Sequence, residues 1–227
     1  LQSAVAETLR LKNIEGTPDY RILRNRGGKN YPLKNTIAYA VETEPGIQAI
    51  VYRVSDEKLY SRPPQDAGKQ ATLYISHVSA DAELREEPLL KTASEDKKRI
   101  LYTCDVRGVG ESMPDTTNAN SFFTPYGSDY FYAAHAVMLD DPYVGQKTFD
   151  VLRVLDWMAA SGHTDIHLIG RGWGALPATF AALFSPHVKQ VTLKNALTSF
   201  SDIAETEHYD WPLSTLVPNV LTVFDMP

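Results

Sequence analysis

Three glycines at alternate positions, Gly170, Gly172 and Gly174, join a short apolar run to a segment of small and apolar residues. The string from Ile166 to Ala178 is I-H-L-I-G-R-G-W-G-A-L-P-A. Ile166 to Ile169 reads as a buried strand and Ala175 to Phe184 as a helix. Strand, tight turn and helix in that order are the setting of the G-x-S-x-G elbow, whose sharp turn exposes a nucleophilic serine at the top of a sheet. The flanking glycines fit that pattern. The central residue does not, because Gly172 has no hydroxyl with which to attack a carbonyl. The other reading of these glycines is packing alone, since a residue without a Cβ lets strand and helix approach closely.

The rest of the chain supplies more strands and helices in alternation. Asn35 to Thr43 alternates around Ile37, Tyr39 and Val41 and predicts a half-buried strand. Glu44-Pro45-Gly46 is turn chemistry, and Ile47 to Val54 completes a hairpin. Ala71 to His77 and Arg99 to Asp105 are short buried strands, with a helix expected near Leu84 to Ala93 between them. Ser128 is placed to cap a helix over about Asp129 to Met138. Gln146 to Ala160 is the clearest helix, with Phe149, Leu152, Leu155 and Met158 at three-residue steps and Gly162 as its stop. Val188 to Leu193 is a further strand, and the tail from Asn195 onward reads as irregular. Before the hairpin, Val5, Leu9 and Leu11 suggest a short helix in a peripheral segment, residues 1–34, broken by Gly27-Gly28. This alternation predicts an α/β fold with a mostly parallel sheet and flanking helices, in one domain over residues 35–227.

Composition excludes more than it assigns. A net charge of −6 gives no electrostatic case for nucleic acid or an anionic membrane. No apolar run approaches the roughly 18–20 residues of a membrane span. Nothing at Leu1 resembles a leader, though a mature secreted protein would have lost one. Cys104, the one cysteine, rules out an internal disulfide and a cysteine-rich zinc site, and its place at the end of an apolar run reads as a buried thiol. His135, His163, His167 and His187 lack metal-ligand spacing, so no metal is expected. His167 alternates with apolar neighbours and reads as a satisfied core histidine. Gly108-Val109-Gly110 fails as a dinucleotide fingerprint because its third glycine position is Met113, and no phosphate loop is present, so no cofactor is expected.

Several other residues stand where chemistry is possible. Ser112 closes a glycine turn after a strand, either as a substitute nucleophile or as a turn-capping hydroxyl. His77 ends a strand, either to contact substrate or to shape its loop. Asp105 and Arg107 either take part in chemistry or hold their loop by hydrogen bonds and an ion pair. Asp202 and His208 lie in a charged segment that reads as a solvated loop rather than a dyad. Phe122, Phe123, Tyr126, Tyr130, Phe131 and Tyr132 form an aromatic cluster, either a stacking lip for sugar or lid packing.

Taken together, the strand end Ser76-His77, the turn D-V-R-G-V-G-E-S (Asp105 to Ser112) and G-R-G-W-G (Gly170 to Gly174) resemble the α/β-hydrolase fold. With E-T-E-P-G-I (Glu42 to Ile47), they are most similar to the acetyl xylan esterase and prolyl-oligopeptidase-like carbohydrate esterases of bacteria. The resemblance covers roughly residues 35–227. It implies hydrolysis of carboxylic esters on glycans as the parent activity, and a periplasmic or secreted location.

It also implies roles for named positions. Gly172 would be the nucleophile position, not competent. Trp173 N–H and a loop amide at His77 or Val78 would bind the oxyanion, and Arg107 and Arg171 would meet substrate. The family order of nucleophile, acid and histidine, and its roughly eight strands against about six counted here, imply a fold cut short at its C-terminal end. A second domain or chain would then complete it, and the acid and histidine would lie beyond Pro227. Three functions remain open: a hydrolase domain without turnover, an esterase with a non-standard nucleophile or a water-based mechanism, and a non-catalytic interaction or glycan-binding module.

Overall fold

The computed structural model describes residues 1–13, 15–25, 30–56, 68–114, 130–208 and 210–226. Its centre is a seven-stranded sheet in the order β1-β2-β3-β5-β4-β6-β7. The strands are β1 (Tyr20–Asn25), β2 (Asn35–Glu44), β3 (Ile47–Ser55), β4 (Gln70–Ile75), β5 (Ile100–Asp105), β6 (Asp165–Arg171) and β7 (Val188–Lys194). The pairs β1–β2, β2–β3 and β3–β5 are antiparallel, and β4–β5, β4–β6 and β6–β7 are parallel. Following those directions across the sheet, all strands but β1 and β3 run the same way, as the alternation predicts.

Helices cover both faces, which is what buries a parallel sheet. On one face, α5 (Tyr143–Ala160) and α6 (Ala175–Phe184) pack Val151, Val154, Leu155, Trp157, Met158, Ala178 and Ala181 onto Ile37, Tyr39, Leu73, Ile75, Cys104 and Leu168. The Trp157 ring lies 5.3 Å from Tyr39 and 5.8 Å from Tyr20, an aromatic cluster within this layer. On the other face, α2 (Ala80–Glu86) and α3 (Pro88–Glu95) cover Ala40, Tyr52, Tyr74 and Ile169 with Ala80, Leu84 and Leu90. Cys104 is a buried free thiol, pushed up by its burial.

The differences from the sequence reading have local causes. The single helix expected over Leu84 to Ala93 is two helices. Pro88 cannot donate in a helix interior, so it opens α3 at its first turn, where Glu87 accepts from the Leu89 N–H at 3.0 Å. Helix α4 (Tyr130–Met138) forms within its expected span, and α5 begins at Tyr143, directly after Pro142, rather than at Gln146. The reading missed β1, whose string Y-R-I-L-R-N does not alternate; it is an edge strand, bulged between Ile22 and Arg24. The tail is not wholly irregular. Ser199 caps α7 (Phe200–Glu205), and Phe200, Ile203, Val217 and Val220 pack with Leu176, Phe180, Val5 of α1 (Gln2–Thr8) and Leu9 at the end of that helix. Gly27-Gly28, Ser128 and the aromatics Phe122, Phe123 and Tyr126 lie outside the described residues.

Candidate active site

Strands β5, β4 and β6 are neighbours, and their carboxyl ends carry the three loops singled out from sequence. The chain leaves β4 for β5 on one side and returns to β6 on the other, so the site sits where the connections diverge, the usual ligand crevice of an open α/β sheet. The pairing of Ile75 with Gly170 brings the loop after β4 against the turn after β6.

The turn after β6 is a single 3-10 turn, Gly172–Gly174, that leads into α6. Its glycines have separate causes. A Cβ on Gly170 would fall 2.7 Å from the Ala175 Cα, and one on Gly174 would fall 2.4 Å from the Ser76 carbonyl oxygen, so both allow close packing. Gly172 is left-handed, with φ +52°, and a Cβ there would meet the His77 ring, 2.5 Å from Nδ1 and 2.9 Å from Cγ. The Trp173 N–H donates to the same Nδ1 at 3.1 Å. The two rings meet edge-on at 4.9 Å. An Nδ1 that accepts leaves the proton of the neutral ring on Nε2. Burial holds the His77 pKa below its ordinary value; Glu83 pulls it up and Arg171 pushes it down.

Glu83 organises the loop after β4, and sequence reasoning missed it. Its buried carboxylate accepts the N–H groups of His77 at 3.0 Å, Val78 at 2.9 Å and Ser79 at 3.3 Å, and the Tyr74 hydroxyl. Arg171 Nη1 is 3.4 Å from Glu83 and its Nε 3.1 Å from Glu87, which also holds Lys194 at 2.6 Å. The one sequence signal was an acid early in a helix that follows a capping serine, Ser79, a common and unspecific pattern.

Asp105 ties the loops after β4 and β5 together. Its carboxylate accepts from Ser76 Oγ and the Ala80 N–H, both at 2.7 Å, and from the Glu111 N–H at 3.0 Å. Burial pushes its pKa up to about 6 against the pull of these donors. Gly110 is required at φ +51°, because a Cβ there would fall 2.2 Å from Asp105 Oδ2. The Gly110 N–H donates to the Val78 carbonyl at 2.9 Å.

No protein-family model and no curated protein matches this sequence. Among solved structures, a candidate acetyl xylan esterase from Bacteroides fragilis NCTC 9343 superposes with a TM-score of 0.74 at 15% identity. The match covers 100% of this chain and 62% of that one. Acetyl Xylan Esterase 1 from Thermoanaerobacterium sp. JW/SL YS485, at 14% identity, and the acetyl xylan esterase of Paenibacillus sp. R4, at 17%, each reach a TM-score of 0.49. Each of these matches covers 83% of this chain, with 56% and 55% of the other. The chain has the α/β-hydrolase fold.

On that hydrolase sheet the sequence-flagged residues divide into two groups. His77, Val78 and Arg171 come together on Glu83, and Gly172 and Trp173 join them through the His77 ring. Arg107 and Ser112 lie apart, along a cleft of about 410 Å³ with Gln48, Tyr132, Tyr143 and Gln146. Arg107 donates to Asp150 from Nε at 2.8 Å and from Nη2 at 2.6 Å, and to Glu44 from Nη2 at 2.6 Å. These carboxylates raise its pKa still further, and its fork is committed to them. Ser112 donates to the Gln48 carbonyl. Asp202 accepts from Thr198 at 3.1 Å and His208 is exposed. His167 pairs with Thr192 at 2.8 Å. Of the described aromatics, Tyr130 and Phe131 meet edge-on at 5.3 Å, and Tyr132 stacks on Tyr143 at 6.5 Å.

Proposed function

We propose that this chain is a hydrolase-fold domain of carbohydrate-esterase type that binds a glycan ester without cleaving it. The observation that carries the reading is the pairing of Gly172 with His77: the central residue of the elbow has no hydroxyl, and an imidazole fills the space a side chain would take. Hydrolysis through an acyl-enzyme needs a nucleophile there and free N–H donors for the oxyanion. Deleting the nucleophile of a serine protease costs about 10⁶ in turnover. Here the Trp173 N–H is taken by His77 and the Val78 N–H by Glu83, which supports the same conclusion from the donor side. The glycan part of the reading comes from the carbohydrate-esterase likeness.

The test pairs turnover with binding. Hydrolysis of p-nitrophenyl acetate should not exceed that of a His77→Ala, Ser112→Ala double variant, and acetylated xylo-oligosaccharides should give saturable heat by calorimetry without releasing acetate. Turnover abolished by Ser112→Ala alone would instead establish an esterase with a non-standard nucleophile. Neither turnover nor binding would leave an interaction module.

A further inference from the structure

We propose that His77 is a proton-operated latch between the loop after β4 and the elbow: neutral, it holds the elbow by accepting the Trp173 N–H, and protonated, it lets go. The latch concerns regulation of the site assigned above, and its meaning for ligand access rests on that reading.

The geometry supplies the switch. Nδ1 is the only ring atom that meets the Trp173 amide, at 3.1 Å, and it meets it as an acceptor. A proton on Nδ1 sets one donor against another and removes the bond. Gly172 leaves the ring room to sit there, because any Cβ would collide with it. The ring is half-buried.

The charged groups around it are few among the described residues. Glu83 faces it from α2 and favours the imidazolium; Arg171 faces it from β6 and opposes it. Glu87 and Lys194 stand behind Arg171. Asp105 grips Ser76 and Ala80 on either side of the histidine. With burial the largest influence, the folded-state pKa lies below the ordinary 6.5. The latch is therefore closed at neutral pH and opens as pH falls through the ring's own value. Asp105 titrates in the same acid range, so the readout must be on the ring and on Trp173 themselves.

The experiment is nuclear magnetic resonance on the ¹⁵N-labelled chain from pH 8 to pH 5. At neutral pH the His77 nitrogens should report a proton on Nε2. As pH falls from the ordinary 6.5 toward the ring's own lower pKa, protection of the Trp173 amide, taken against intrinsic exchange, should fall about tenfold per pH unit, and below that pKa it should be lost. His77→Asn places a carbonyl near Nδ1 that cannot titrate, and should keep Trp173 protected throughout. His77→Ala should leave it unprotected throughout. A proton on Nδ1 at neutral pH, or Trp173 protection that is flat while the ring titrates, overturns the latch. So does a His77→Asn variant that titrates like the parent. Ester turnover in the same sample would overturn the non-hydrolysing reading and leave the latch standing.

Discussion

His77 and Gly172 share one space: a Cβ on Gly172 would fall 2.5 Å from the His77 Nδ1, and the next amide along the chain, Trp173, donates to that same atom. The residues lie on different loops and meet because β4 and β6 are paired neighbours. A side chain at Gly172 cannot be added without the His77 ring giving way.

The pairing predicts strong non-additivity. Gly172→Ser should destabilise the chain by about 1–3 kcal/mol, from a side chain at φ +52° and from collision with the ring. Gly172→Ser combined with His77→Gly should cost less than the sum of the single changes, by about 0.5–3 kcal/mol in a double-mutant cycle. Urea denaturation of the four proteins reads this directly. Additivity would place the ring outside the serine's space. Gly172→Ser alone should gain no esterase activity, because the Val78 amide stays occupied by Glu83.

Arg107 predicts a different asymmetry. Asp150 is fully buried and takes two side-chain bonds from Arg107, its backbone N–H at 3.0 Å and the Thr43 hydroxyl at 2.6 Å. Arg107→Met strands that carboxylate and should cost about 3–5 kcal/mol. Arg107→Met with Asp150→Leu removes both charges and should recover most of the loss. If instead the double variant is as unstable as the single one, the pair holds more than its own charge.

His163 predicts the acid limb of stability. It is fully buried, its Nε2 lies 3.0 Å from the Tyr102 hydroxyl, and burial lowers its pKa to about 4. A base depressed in the folded state contributes stability that is present above its ordinary pKa and is lost as pH falls through the folded value. Between pH 6.5 and 4 the parent should lose about 3 kcal/mol relative to His163→Gln. Asp105 works the other way: its raised pKa contributes stability that is present below 3.8 and lost as pH rises through about 6. The comparison must therefore be the difference between parent and variant, measured by denaturation at each pH. A difference that does not change with pH would mean that His163 does not titrate on unfolding.

Much of the frame was legible because its signals are local. The β2–β3 hairpin showed in its alternation, the elbow in its glycines, and α5 in its apolar face. The site was legible only in its backbone. Trp173 and Gly172 stood out by motif, but the partner that fills the elbow lies 96 residues away from Trp173, and only the β4–β6 register brings it there. Glu83 was illegible for a related reason: an acid near a helix start usually faces solvent, and only the fold turns this one back onto three consecutive amides. Arg107 was legible as an ion-pairing residue but its partner was not, since Asp150 sits on another element.

Gly145 predicts which of two opposed effects decides a glycine-to-alanine change. It lies in the first turn of α5, where alanine favours helix by up to about 1 kcal/mol. Its Cβ, however, would fall 1.9 Å from the Leu9 carbonyl oxygen and 2.9 Å from the Leu9 carbonyl carbon. That obstacle is backbone at the end of α1, not the tip of a flexible side chain, so the helix must move as a body. Leu9 and Val5 are buried with Leu176, Phe180 and the residues of the tail, so displacement of α1 opens that whole cluster. Overpacking of this kind costs about 1–3 kcal/mol and outweighs the gain in propensity. Gly145→Ala should therefore lower the Tm, and the Leu9 amide, which donates to the Val5 carbonyl at 2.9 Å, should exchange faster than in the parent. A rise in Tm with unchanged Leu9 exchange would mean that α1 does not bear on α5 at this point.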